Sequence, residues 1–252
     1  MAELTVLSSA EHGSLKVVEN CALEVARKQH VVNIRVAEVG MAVSSFPVFA
    51  SKNPSSGRWA LTAVTSFVPE SNLFVVNDRW TATYLPTCMQ TYPLFLMNSD
   101  EGENQYTVGI HAQSPDFSTE AGEALFDDQG KASLFLSRVT AMLEADINND
   151  IQTYQFTDKL NELGLYKSIN LLVHSSNGAS VQTIQGLYTI DEEKLQQLDA
   201  TTLEDLNKRG YLAPMYAMLT SIFQANALIR LNNLHSDMQD IREIKLEVVK
   251  DS

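Results

Sequence analysis

Up to about residue 115, apolar positions come in short strand-like runs separated by turn chemistry. QHVVNIRVAEV (29–39) is β-branched with partial alternation, and FPVF (46–49) is a short apolar run. SKNPSSG (51–57) gathers Asn, Pro, Ser and Gly, which is loop chemistry. WALTAVTSF (59–67) and NLFVV (72–76) read as further strands. LFLM (94–97) and QYTVGIHA (105–112) flank the polar SDEGEN and read as a hairpin.

From residue 131 the period lengthens. Leu134, Leu136, Val139, Met142, Leu143 and Ile147 fit one helical face. The helix continues through FTDKLNELGL, with a break near Asp150 and a stop at Gly164. INLLVHSSNGASVQTIQGLYTID returns to strand, with Asn177-Gly178 suited to a tight hairpin turn. DEEKLQQL and TLEDLNKRG predict acidic-first helices, with Asp191 as a cap and Gly210 ending the second. YLAPMYAMLTSIFQANALIRLNNL predicts a final helix with Pro214 near its start. The sum is α+β: an N-terminal antiparallel-rich sheet carrying one short helix, then a long helix, a β-hairpin and a C-terminal helical cluster. We expect one compact domain over residues 1–252, or within it a β-rich lobe over 20–130 and a helix-rich lobe over 131–235.

The short inserted helix is expected in NLFVVNDRWTATYLPTCMQTYPLFL (72–96). Pro86 suits a first helical turn, and Pro93 forces the residue before it out of the helix. Two readings of its aromatics stand side by side. In one, Trp80, Tyr84, Tyr92 and Phe95 lock the helix onto the sheet. In the other, Trp80 and Tyr84 offer a flat apolar face and a hydroxyl to a concave ligand site.

The formal charge of −13 changes the picture of partners. A phosphate backbone or an anionic lipid surface is repelled by such a protein unless a basic patch intervenes, and the sequence has none. Nucleic acid and membrane insertion are therefore not expected; no apolar run approaches the ~20 residues of a spanning helix. The N-terminal stretch lacks the basic and apolar regions of a secretory signal. That predicts a cytoplasmic protein, or export by a route needing no signal. Cys21 and Cys88 suggest neither a disulfide framework nor a zinc site and read as free, partly buried thiols. Cys88, at the start of the short helix, is weighed as a nucleophile but read as a small core residue. No two of His12, His30, His111, His174 and His235 stand at ligand spacing, so no metal or cofactor is expected. His111, near Asp116, is the one weighed for a site assembled from distant residues. Glu38, Asp191 and Glu192 are candidate carboxylates, with helix capping the simpler role for Asp191.

Five segments, in order, resemble the bacterial SapC family. They are EVGMAVSSFPVF (Glu38, Phe46, Pro47); Asn72–Val75 with Trp80, Tyr84, Pro86 and Tyr92-Pro93; AGEALFDDQGKAS (Gly122, Glu123, Leu125, Phe126, Gly130); GLYTIDEEKLQQL (Asp191, Glu192, Lys194, Leu195); and RGYLAPMYAMLTSI. Where the family often has arginines before its Tyr-Pro pair, this chain has Gln90-Thr91. The resemblance implies a fold and a surface-layer or nutrient-uptake context, not a reaction. It concerns the surface-layer-locus family, not the peptide-transport permease of the same name. We expect a non-enzymatic binding or accessory protein with a protein, peptide or small-molecule ligand, the site residues being Trp80, Tyr84, Tyr92 and Glu38. Self-association is left open, as is the alternative of an enzyme acting on a small molecule or peptide through a site without motifs.

Overall fold

The computed structural model describes residues 3–53, 56–98, 106–176, 178, 181–236 and 238–249. The fold is α+β, and its named strands pair antiparallel. The chain forms two compact units, each built from two segments. The first is Met1–Ala26 with Thr87–Asn148, the second Arg27–Pro86 with Asn149–Ser252.

In the first unit, Phe95–Asn98 and Tyr106–Ile110 pair as the sequence predicts, with Thr5–Val6 added on the far side. The hairpin's SDEGEN connection lies outside the described residues. A smaller sheet places Lys16–Val17 between Phe117–Ser118 and Glu123–Ala124. Gly122 takes φ +126 there; an added Cβ would stand 2.1 Å from Val17 O, so only glycine fits. The core is Val17, Cys21, Leu94, Ile110 and Leu125 packed with Leu136, Val139 and Leu143 of the long helix Leu134–Glu162. Leu134, placed by periodicity on that helix's inner face, is instead 92% exposed: as the first helical residue it precedes the turn that packs. Cys88 is also exposed rather than core, while Cys21 is buried.

The second unit centres on a six-stranded sheet. Its strand order is Ile241–Val248, Tyr166–Ser175, Val181–Ile190, Val48–Lys52, Trp59–Val64, Val31–Ile34. The predicted late hairpin therefore completes the sheet begun by the early strands. Its Asn177 lies outside the described residues; Gly178 has φ +69. The long helix runs without the expected break at Asp150, since each i→i−4 bond there has a residue to make it. Its second half buries Thr153, Phe156, Thr157 and Leu160, spaced i, i+3, i+4, i+7. Asp191 caps Glu192–Gln196 through Lys194 N, and Asp199 caps Ala200–Lys208 through Thr201 N and Thr202 N.

The expected final helix is Leu212–Ser221 and Ala225–Asn232, joined by a 3₁₀ turn. Contrary to the reading by unbroken apolar runs, Leu212–Asn232 is long and apolar enough, by length and composition alone, to cross a membrane. Its buried Met215, Met218 and Leu228 belong to the unit's core. Other parts of this unit depart from the sequence reading. Val39–Ala42 is a short helix following a 3₁₀ turn at Val36–Glu38. NLFVV contributes only Val75–Val76, which pairs with Arg79–Trp80 around Asn77 and Asp78 at φ 49° and 56°. Ile241–Val248 is a sheet-edge strand.

Candidate ligand-binding cleft

Glu38, Trp80 and Tyr84 meet in one corner of the second unit. The Glu38 side chain is buried, and one carboxylate oxygen accepts the Arg35 N–H at 2.7 Å while the other accepts the Tyr84 hydroxyl. A buried carboxylate needs such donors to offset its lost hydration. Trp80 donates its indole N–H to Tyr84 O at 2.8 Å and packs tilted on Phe46 and Phe74, whose own rings meet edge-on at 4.8 Å. The corner is thus internally satisfied, and it fixes the turn on which Arg35 stands.

Tyr92 belongs to the first unit, where it meets Phe95 edge-on. The four aromatics read as one set are therefore divided between the units, because Thr87 begins a new segment of the first unit. The Tyr92 hydroxyl donates to Asp116 at 2.6 Å, and Ser114 donates to the same carboxylate oxygen. Burial, then the hydrogen bond to Asp116, pushes the Tyr92 pKa above its ordinary value. Burial, then the charge of Asp116, pushes the Cys21 thiol up to about 11. Both groups stay protonated at neutral pH, which disarms them as nucleophiles.

The Arg35 turn opens onto a cleft of about 480 Å³, within the range of small-molecule sites. Its walls are the strand end at Asn33–Arg35, the strand start at Arg58–Leu61 and the long helix from Asp150 to Gln155. Trp59 is held from behind, stacked on Tyr166 at 4.1 Å and edge-on to Tyr188 at 4.7 Å. The Tyr166 hydroxyl donates to Thr157 O, and burial, then nearby Asp158, raises its pKa. Arg58 lies over the Tyr154 ring at 5.2 Å, a cation–π contact. Arg35 pairs with Asp150. Thr153 ties the wall together, accepting from Val36 N and donating to Asn149 O. Among the described residues the lining carries the guanidiniums of Arg35 and Arg58 and the carboxylate of Asp150, and Lys52 Nζ stands 5.5 Å from the centroid of the Trp59 ring, all within a strongly acidic protein.

A family model described as SapC matches residues 7–228. The chain belongs to the SapC family. No curated protein and no solved structure matches it. Its SapC-like motif residues cluster in space: Glu38 and Phe46 from one motif meet Tyr84 and Trp80 from another. At the departure from the family pattern, Gln90 is exposed, and Thr91 is buried with its hydroxyl donating to Thr87 O.

Sequence reasoning missed Arg35, Arg58, Trp59 and Tyr154. The available signal was the Arg58-Trp59 pair directly after a turn-rich loop, a common way to present a binding side chain. Among the described residues no group of three His, Cys, Asp or Glu side chains could hold a metal ion. Nδ1 of His111 is buried without a hydrogen-bond partner, its ring 5.5 Å from that of Phe95.

Proposed function

We propose that this SapC-family chain is a non-enzymatic binding or accessory protein of a cell-surface-layer or nutrient-uptake system. Its ligand carries one carboxylate and an aromatic or apolar body, as a small organic acid or a peptide C-terminus does. The observation that carries this reading is the pairing of Arg35 and Arg58 with Trp59 and Tyr154 around one cleft. Arg35 is already shared with Asp150, whereas Arg58 lies over the Tyr154 ring, so Arg58 is the guanidinium that supports recognition of a carboxylate. Trp59, packed from behind by two tyrosines, presents an ordered ring at little entropic cost on binding.

N-acetylphenylalanine and its amide test the reading by calorimetric titration. At roughly 0.3 kcal/mol for each of about 15 non-hydrogen atoms, the acid binds with a Kd near 1 mM or tighter. The amide, lacking the charge, binds at least about tenfold more weakly. Equal affinities, or no saturable binding of the acid, would overturn the assignment. Chemical turnover of the acid would favour an enzyme.

A further inference from the structure

The C-terminal strand Ile241–Val248 is an edge of the six-stranded sheet, and among the described residues no strand pairs with its outer side. Val249 donates its N–H to Ser168 O of the neighbouring strand. Backbone groups alternate along a strand, so those of Ile244, Leu246 and Val248 point to the free edge. The same three residues share a face, where Ile244 and Leu246 border an apolar hollow of about 200 Å³ beside Phe49, Ile222 and Phe223. Phe223 is 72% exposed and Val248 is 46% exposed. Unpaired edges of this kind recruit another strand unless they are blunted.

We infer that this edge pairs with the same edge of a second copy of this chain, antiparallel and centred on Leu246. A two-fold axis perpendicular to the sheet keeps each residue's face, which restricts the register. Centring on Leu246 sets Leu246 against its own copy and Ile244 against Val248 on one face. On the other face it sets Lys245 against Glu247, twice. Centring on Lys245 instead opposes Lys245 to itself once and Glu243 to Glu247 twice, three like-charge contacts that destabilise. Centring on Ile244 opposes Arg242 to Leu246 and Ile241 to Glu247, which wastes the apolar row. Of the three, the Leu246 register alone sets the apolar row Ile244, Leu246 and Val248 against itself with Lys245 facing Glu247 on the other side; past that row Glu243 faces Val249. Glu247 makes no ion pair within the chain among the described residues, so its charge is available to the second copy, while Lys245, 3.4 Å from Glu243 of its own strand, is shared between Glu243 and the second copy's Glu247. The joined sheets extend the apolar row across the seam and bring each exposed Phe223 toward the other copy's helical face.

Sedimentation velocity across a concentration series of the full chain tests this, with circular dichroism verifying that each variant stays folded. The native chain is expected at twice its mass of 28.0 kDa. Lys245→Glu and Glu247→Lys each turn two cross-strand attractions into repulsions and weaken the dimer about tenfold or more. The double variant K245E/E247K restores it, because the charges exchange places. Glu247→Lys separates the registers, since in the Ile244-centred pairing Glu247 faces no charge. A native chain that stays monomeric at its highest soluble concentration overturns the inference. So do single reversals that leave the dimer intact, or a double variant that fails to recover it.

Discussion

Replacing Trp80 with alanine should destabilise the second unit by about 3–4 kcal/mol. The ring is half-buried, so its lost burial falls below the ~3–5 kcal/mol of a fully buried Trp→Ala change, at about 2 kcal/mol. Its tilted contacts with Phe46 and Phe74 add about 1 kcal/mol. The Tyr84 carbonyl loses the indole donor, for roughly 1 kcal/mol more. At about 2–4 °C per kcal/mol for a chain of this size, the melting temperature should fall by roughly 6–16 °C. Thermal melts followed by circular dichroism read this directly. Trp80→Phe keeps most of the ring contact and loses only the N–H, so it should cost about 1 kcal/mol and separates packing from hydrogen bonding. A fall of less than about 2 °C in Trp80→Ala would show that the corner does not depend on this ring.

Tyr84→Phe removes one donor from the buried Glu38 carboxylate while keeping the ring, and should cost about 1–3 kcal/mol in urea unfolding; no change would remove Glu38 from the scaffold role. Gly122→Ala forces a Cβ to within 2.1 Å of Val17 O at positive φ and should cost about 2 kcal/mol or more, read as early loss of the first unit's protection in hydrogen exchange. Iodoacetamide should label Cys88 quickly at pH 8 and Cys21 slowly, because Cys21 is buried and its thiol is pushed up to about 11. The same shift sets a pH trend. The unfolded thiol ionises near its ordinary 9.0 while the folded one does not, so the unfolded state binds fewer protons and this contribution to stability is lost as pH rises from about 9 through about 11. Cys21→Ser should flatten that fall, and an unchanged slope would contradict the assignment.

Patterns that repeat within a few residues were legible in the sequence. Period-2 runs gave the Phe95–Asn98 and Tyr106–Ile110 pair, and period-3.6 spacing gave the long helix. Asp191 announced its helix by position alone. Short elements were not legible, because tertiary contacts and caps decide them: Ser9–His12 depends on Ser8 capping Glu11 N, and Cys21–Ala26 has only six residues. The strand Ile241–Val248 carries four charged residues among eight, which reads as a solvated tail until a neighbour supplies its register. The sequence pointed to Glu38 and Tyr84 through their motifs, and these prove to hold each other and the Arg35 turn. The cleft itself had no linear signature. Arg35, Trp59 and Tyr154 come from a strand end, a strand start and a helix that only the folded sheet assembles.

We propose that Arg58, with Arg35 beside it, binds a carboxylate next to Trp59. This is tested most directly by titrating N-acetylphenylalanine into the native chain and into Arg58→Gln. Arg58 is exposed and its contact is with the exposed Tyr154, so the variant should melt within about 1 °C of the native chain. Loss of one charged hydrogen-bonding partner, worth about 1.5–3 kcal/mol, should weaken binding by roughly 10- to 100-fold. Equal affinity in the two proteins, with equal melting temperatures, would contradict the account.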